Sequence, residues 1–244
     1  MNPRSAESIA LNSNNARANR LLAALPDENY QTLLPSLEFV KFALGEILYD
    51  SGDKTGYLYF PTNSIISLLY TMNNGATAEM GMVGSYGVVG ISAFLGGETA
   101  VHQAVVQIAG DAFRIRAKIL KEEFDRGGTL QRLLLRYTQA LITQISQIAV
   151  CNRLHTFEQR LCRWLLLSHD RVMSDELLLT QEGISHLLGV RREGVTVAAG
   201  RLQTAGLISY VRGHIRILDR RGLEARSCEC YQVIKDEYQR LLSV

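Results

Sequence analysis

The sequence is poor in proline and cysteine and has no long apolar run. Its 244 residues include four prolines and four cysteines, and all the cysteines lie in the C-terminal half, at positions 151, 162, 228 and 230. A run of about eighteen apolar residues, as a membrane-spanning helix needs, is absent. The polar first residues lack the apolar core of a secretory signal. We therefore expect a cytoplasmic protein with reduced thiols and no membrane partner.

Sequence motifs of several large enzyme classes are also missing. There is no Gly-x-Ser-x-Gly elbow, no His-Glu-x-x-His and no phosphate-binding Gly-rich loop ending in Gly-Lys-Ser/Thr. His155 and His169 lie among predicted helix-surface residues, with no nucleophile and base arranged beside them. The sequence therefore predicts a protein that is not an enzyme and needs no cofactor.

The formal net charge of +2 conceals an uneven distribution of charge. Seven arginines fall between residues 191 and 221, against only two acidic residues, Glu193 and Asp219. A local basic patch on a nearly neutral chain favours a face that binds a polyanion, although the same charges also suit a solvated surface.

Short apolar segments separated by turn residues fill the chain from about 37 to 115. They are rich in β-branched and aromatic residues, and turn chemistry recurs at Ser51-Gly52-Asp53, Asn73-Asn74-Gly75 and Gly110-Asp111. Many short strands with no helix-length pattern between them predict an antiparallel sandwich or barrel.

The apolar period then changes to that of a long helix, from about 130 to 152. Its apolar stripe favours pairing with a second copy of the chain over packing on its own domain, with Gln144 beside it to set the register. The predicted dimerisation residues are Leu134, Tyr137, Leu141, Ile145 and Ile148.

Further helical segments and a hairpin follow this helix. Residues 156–172 form one predicted helix, and a second is capped by Thr180 and ended by Gly189. A third runs from about 191 to 205, residues 207–218 read as a hairpin, and Asp219 caps a single final helix over 220–242. This order of helix, short turn, helix and hairpin is that of a winged helix-turn-helix.

In a winged helix-turn-helix, the start of the second helix enters the DNA major groove. Arg192 and Glu193 stand there, and arginine can bond guanine while glutamate can accept from cytosine. Arg191 and Thr196 are expected nearer the phosphates. The full set of predicted DNA-binding residues is Thr180, Arg191, Arg192, Glu193, Thr196, Val197, Arg201, Arg212 and His214.

Residues 179–219, beginning "LTQEGISHLLGVRREGVTVAAGRLQ", resemble the DNA-binding domain of the cyclic-AMP receptor/fumarate-nitrate regulator (CRP/FNR) family of bacterial transcription factors. The resemblance implies an α+β fold with an N-terminal antiparallel jelly roll of the cyclic-nucleotide-binding type, a dimerisation helix and a winged helix-turn-helix. The implied divisions are a flexible arm at 1–20, a sensor at 21–128, the dimerisation helix at 129–152 and the DNA-binding domain at 153–244. Double-stranded DNA, a second copy and RNA polymerase are the implied partners.

Two departures from the family pattern bear on specificity and signal. Many members place an arginine four residues after the glutamate of the second helix, where this chain has Val197. Members that bind cyclic nucleotides carry a glutamate and an arginine in the sensor, but this chain has Ile91 after Gly90, and Val101, His102 and Gln103 where the arginine is expected. A phosphate bound there would lack its cation. Gly90, Ile91, His102 and Gln103 are thus a candidate pocket for an unknown effector that is not a cyclic nucleotide.

Metal and redox chemistry find little support in the sequence. The N-terminal cysteines of the iron–sulfur members are missing, and Cys228 and Cys230 are separated by one residue within a predicted helix, which is poor spacing for structural zinc. We predict inert or partly exposed thiols and no metal. Two alternatives stay open: a winged helix that mediates protein contacts, and a constitutive DNA binder with a purely structural β-roll.

Overall fold

Two antiparallel sheets with one shared core make up the first half of the chain. The computed structural model describes residues 16–97, 99–172 and 174–242, so most of the arm expected at 1–20 lies outside the described residues. One sheet has the order β1-β7-β3 and the other β2-β6-β4-β5. The strands are β1 Glu38–Phe42, β2 Ile47–Tyr49, β3 Tyr57–Pro61, β4 Ile65–Thr71, β5 Thr77–Val83, β6 Gln103–Ile108 and β7 Gly110–Arg116.

These strands confirm the antiparallel architecture that the alternating sequence predicts. Leu58 and Phe113 of the first sheet, and Ile66 and Val106 of the second, are at most 2% exposed and belong to one core. Burial of such large apolar side chains is the main stabilising contribution in a sheet pair of this kind.

Within the described residues, four short α-helices flank the sheets, α1 Arg20–Ala23, α2 Asp27–Leu33, α3 Ser92–Leu95 and α4 Ala117–Asp125, and the 3₁₀ helix Leu34–Ser36 follows α2. The segment leading into α1 is packed, not free. Asn19 is fully buried, its side-chain oxygen caps α1, and its Nδ2 donates to the carbonyls of Pro61 and Gly87. The flexible arm predicted at 1–20 therefore does not extend to Asn19, because these hydrogen bonds hold that residue against the sheets.

The long helix α5 spans Thr129–Leu154, within two residues of its predicted ends. Its apolar stripe is buried within the same chain: Leu134, Tyr137, Leu141 and Ile148 are at most 5% exposed, and Ile145 is half-buried. The side chains that α5 exposes to solvent instead include Leu135, Ile142, Val150 and Leu154. The stripe's helical period thus predicted burial correctly, but its partner is the chain's own core.

The second half of the chain has the predicted helix and hairpin order, with one extra strand. Its elements are α6 Phe157–Val172, β8 Glu176–Leu178, α7 Gln181–Leu188, α8 Arg192–Thr204, β9 Ile208–Val211, β10 His214–Ile217, α9 Arg220–Arg226 and α10 Cys230–Leu242. Strand β8 pairs with β10, giving the sheet order β8-β10-β9. Among the described residues, no helix has the length and apolarity needed to cross a membrane.

The single final helix expected over 220–242 is wrong. Asp219 caps α9 as predicted, but α9 ends at Arg226, and α10 starts only at Cys230. Cys228 therefore lies in the break between the two helices. All four cysteines are reduced and buried, so of the two alternatives, inert or partly exposed thiols, the structure contradicts the second.

The two halves of the chain meet along β4, β5 and α6. Nε2 of Gln144 donates to the carbonyl of Met82, and Oε1 of the same side chain accepts from Arg171 of α6. Gln144 is fully buried in these contacts, so it cannot set the register of a helix pair as expected. The N-terminal half also contacts α7, which lies beside β5.

Candidate nucleic-acid interface

The turn between α7 and α8 is formed by local signals that the sequence displays. The Thr180 hydroxyl accepts a hydrogen bond of 3.0 Å from the backbone N–H of Gly183 and so caps α7. Gly189 ends that helix at φ +62°, in the left-handed region that favours glycine. Val195 and Leu202 of α8 are fully buried, which fixes the rotation of α8 about its axis.

With those positions buried, α8 presents a polar face to solvent. The exposed residues include Arg191, Arg192, Glu193, Thr196, Val197 and Arg201. Val197 is 55% exposed although it is apolar. Its methyl groups are thus free to contact a thymine methyl group, as the sequence predicts.

Thr196 is held by the neighbouring helix. Its hydroxyl donates 2.8 Å to Oε1 of Gln181, the first residue of α7, and lies 3.2 Å from the carbonyl oxygen of Arg192. Sequence reasoning missed Gln181, although its position directly after the cap residue Thr180 was a usable signal. The contact links the first turns of α7 and α8, where a polyanion would approach both.

A cleft lies between the start of α7, the start of α8 and the β9–β10 hairpin. It is lined by Thr180, Gln181, Glu182, Arg192, Tyr210, Arg212 and Gly213. Two guanidinium groups, of Arg192 and Arg212, line the cleft together with the carboxylate of Glu182. The guanidinium groups are chemically suited to a phosphate group.

Tyr210 is a fixed wall of this cleft. Its hydroxyl donates 2.8 Å to the carbonyl of Leu179. Burial raises the pKa of Tyr210 to about 12, and the nearby charge of Arg192 opposes that rise. Tyr210 therefore stays neutral at physiological pH and adds no negative charge to the cleft.

The hairpin places Arg212 and His214 at its exposed tip, as predicted. Arg212 has φ +50° and Gly213 has φ +84°, so both residues of the two-residue loop are left-handed, which is the pattern of a type I′ turn. His214 begins β10 and is exposed. Arginine is an unfavourable residue for the first of these positions, so the charge is held there at a conformational cost.

Two arginines of the basic segment form ion pairs within the chain. Nη1 of Arg201 is 3.8 Å from Glu158, a carboxylate that also pairs with Arg226. Arg220 pairs with Asp170 at 2.7 Å and Glu224 at 3.0 Å. Arg201, a member of the predicted DNA-binding set, therefore has a long ion pair within the chain and a side chain that is 69% exposed.

The candidate effector residues fall in two places of the β-roll. Gly90 has φ +99° and lies against Thr55 and the carbonyl of Tyr57, and Ile91 directly precedes α3. His102 packs its ring edge on Tyr49, with Nε2 3.1 Å from the tyrosine oxygen, and burial lowers the pKa of His102. Gln103 starts β6 and pairs with Leu69 of β4. His102 is therefore held as a neutral member of an aromatic cluster.

Comparison with known families and structures agrees with both halves of this architecture. Residues 39–126 match the cyclic nucleotide-binding domain family, and residues 159–226 match the Crp-like helix-turn-helix domain family. No curated protein shows significant sequence similarity to the chain.

Solved structures share the fold at low sequence identity. A putative CRP/FNR-family regulator from Eubacterium rectale has 19% identity and a TM-score of 0.63, over 84% of this chain and 96% of its own. FixK2 from Bradyrhizobium japonicum has 15% identity and a TM-score of 0.65, over 79% and 98%. A CRP-family regulator from Thermus thermophilus has 18% identity and a TM-score of 0.65, over 77% and 96%.

The two family matches together span well over half of the sequence. The chain therefore belongs to the CRP/FNR family of transcription regulators and carries a helix-turn-helix DNA-binding domain.

Proposed function

We propose that the protein is a homodimer that reads a pseudo-palindromic DNA site through two copies of α8. The observation that carries this proposal is the exposed set of Arg191, Arg192, Glu193 and Thr196 at the start of α8, beside the cleft that Arg192 shares with Arg212. The side chains reach base edges from α8, while the cleft and the hairpin tip bind flanking phosphates.

The free apolar face of α5 supports the dimer. Leu135 and Ile142 are 46% and 51% exposed and lie seven residues apart, and Val150, 48% exposed, continues the same face. Apolar residues at such spacing on a long helix are typical of pairing between two helices. This face replaces the predicted dimerisation residues as the proposed interface. Two copies joined there would present their α8 helices to successive major grooves, about 34 Å apart.

The proposed signal at the β-roll is a ligand other than a cyclic nucleotide. The positions where family members carry a carboxylate and a cation hold Ile91, His102 and Gln103, and His102 is occupied with Tyr49. A cyclic phosphate would find none of its usual charged partners at these positions. Once bound to DNA, the dimer is expected to contact RNA polymerase.

Selection from random duplexes tests the proposed function. The purified full-length chain is incubated with a random duplex pool at two salt concentrations, and the retained DNA is sequenced. We expect a motif with two half-sites one helical turn apart, and binding that falls steeply as salt rises because phosphate contacts release counterions.

Other outcomes separate the rival functions. A palindromic motif obtained without any additive would favour the constitutive binder. The contrary outcome is that the protein retains little DNA, with no common motif, both before and after a cell extract is added. That result would refute sequence-specific DNA binding and favour a winged helix that contacts proteins.

A further inference from the structure

Four side chains that can bind a metal meet at the end of the long helix. Cys151 and His155 lie four residues apart where α5 ends, Cys228 lies in the break before α10, and Cys230 is the first residue of α10. One ligand atom from each lies within 4.8 Å of all the others. The three cysteines form a buried cluster separate from the main apolar core.

Two distances within the cluster are close to the edges of a tetrahedron around one ion. The sulfurs of Cys151 and Cys228 are 3.4 Å apart, and the sulfur of Cys230 is 3.5 Å from Nδ1 of His155. With zinc–sulfur bonds of about 2.3 Å, the sulfur–sulfur edge of a regular tetrahedron is about 3.8 Å. In an iron–sulfur cluster, cysteines that bind different irons are held apart by the cluster. The ligand atoms here lie close together, so they favour a single ion.

The groups around the cluster orient its ligands as zinc sites do. Nε2 of His155 lies 3.2 Å from a carboxylate oxygen of Glu229, and Nδ1 is thereby turned toward the sulfurs. A carboxylate on the far nitrogen is the recurring support of a zinc-binding histidine. Nε2 of Gln147 donates 3.3 Å to the sulfur of Cys230 and helps to hold that sulfur in position.

We propose that Cys151, His155, Cys228 and Cys230 bind one zinc ion in a closed, structural site. Thiolate and imidazole ligands in a tetrahedral set suit zinc, and four protein ligands leave no open position for catalysis. The site accounts for the break between α9 and α10, which places Cys228 opposite Cys151. The ion would fasten α10 and the start of the DNA-binding domain to the end of α5.

Metal content of the full-length chain tests this site directly. The protein is purified under reducing conditions, and its metals are removed with a chelator. It is then incubated with Zn²⁺ and desalted, and the bound zinc is measured by elemental mass spectrometry. We expect one zinc per chain in the wild type and in Cys162→Ser, which changes a buried cysteine of α6 outside the cluster. We expect less than a tenth of that amount in Cys230→Ser.

Glu229→Gln keeps the test valid if loss of a cysteine disturbs folding. The Glu229 side chain is 73% exposed, so the variant is expected to fold, and its zinc affinity should fall about ten- to a hundredfold because the imidazole loses its orienting carboxylate. Competition with a chromophoric chelator measures that change.

Cobalt binding gives a spectroscopic signature that would be absent if these residues only packed together without binding a metal. Co²⁺ added to the stripped wild type and to Cys162→Ser should give the visible absorption of a tetrahedral thiolate complex, and Cys230→Ser should lose it. Failure of the reduced wild type to bind zinc, equal zinc content in all variants, an iron–sulfur chromophore, or a Cys151–Cys228 disulfide in its place would each overturn the proposal.

Discussion

The Nε2 amide of Gln144 donates a hydrogen bond of 3.0 Å to the backbone carbonyl of Met82, which joins the middle of α5 to the second sheet. The other end of the same amide accepts from Arg171 of α6. One buried side chain thus connects the sensor sheet, the long helix and the first helix of the DNA-binding domain.

Gln144→Ala should lower the free energy of unfolding by about 3 kcal/mol, because it leaves a buried carbonyl and a buried guanidinium without their partner. Urea unfolding of the full-length chain measures the change. Gln139→Ala, at an exposed position of the same helix, is the control and should stay within about 0.5 kcal/mol of the wild type. Equal effects of the two substitutions would contradict the bridging role of Gln144.

Ile142→Asp should dissociate the proposed dimer and leave the protomer folded. Two symmetry-related copies of Ile142 would each lose about 1.5–3 kcal/mol of burial, so dimer affinity should fall at least a hundredfold. Analytical ultracentrifugation measures it. Leu141→Ala is the contrasting variant: it should cost about 2–5 kcal/mol of protomer stability, because Leu141 is only 2% exposed within its own chain. A dimer that survives Ile142→Asp would place the interface elsewhere.

Arg192→Ala should weaken binding to the selected site by about 1–3 kcal/mol and relax the preference at one base pair. The reason is that a bidentate contact to guanine is lost, and repeating the duplex selection with the variant measures it. Arg221→Ala removes the same charge from an exposed position of α9 and should leave the preference unchanged. If Arg192→Ala selects the same motif as the wild type, Arg192 does not contact a base.

Arg212→Gly should weaken DNA binding uniformly across sequences and reduce the slope of log affinity against log salt by about 1, because one phosphate contact is lost. The left-handed φ of +50° suits glycine, so the hairpin itself should survive the change. Titrations at several salt concentrations measure the slope, and Arg212→Lys should retain it. A sequence-dependent loss would assign Arg212 to base reading instead.

Glu79→Gln should flatten the pH dependence of stability. Burial raises the pKa of Glu79 from its ordinary 4.5 to about 7, a rise that Ser67, Arg163 and Arg171 oppose. The folded chain therefore binds this proton more tightly than the unfolded chain, so wild-type stability should fall as pH rises from about 4.5 to about 7 and then level off. The variant should lack that fall, which amounts to about 3 kcal/mol. Urea unfolding at pH 5 and pH 8 measures it, and a wild type with equal stability at both would contradict the shift.

Local sequence signals were sufficient to predict α8 and the elements around it. Thr180, Gly189 and the buried positions Val195 and Leu202 determine where α7 ends and which face of α8 is exposed, and all of these act over a few residues. Glycine in a left-handed position and a side-chain cap are signals that tertiary contacts seldom override.

The partners of buried faces could not be read from the sequence in the same way. The stripe through Leu134 and Leu141 shows that a face is covered, but periodicity does not say whether a sheet or a second chain covers it. The break at residues 227–229 contains no glycine or proline, so nothing local marked it. The meeting of Cys151 with Cys228 depends on that break and on the packing of α10 against α5.

The contact between β5 and α7 joins the β-roll to the helix that precedes α8. A ligand that shifts β5 would therefore act on α8 through α7. A coupling free energy of about 1–3 kcal/mol at that contact would change DNA affinity about 5- to 150-fold. Ligand binding and DNA binding would then be coupled within a single protomer. The paired α5 helices would serve only to hold the two α8 helices at the correct spacing.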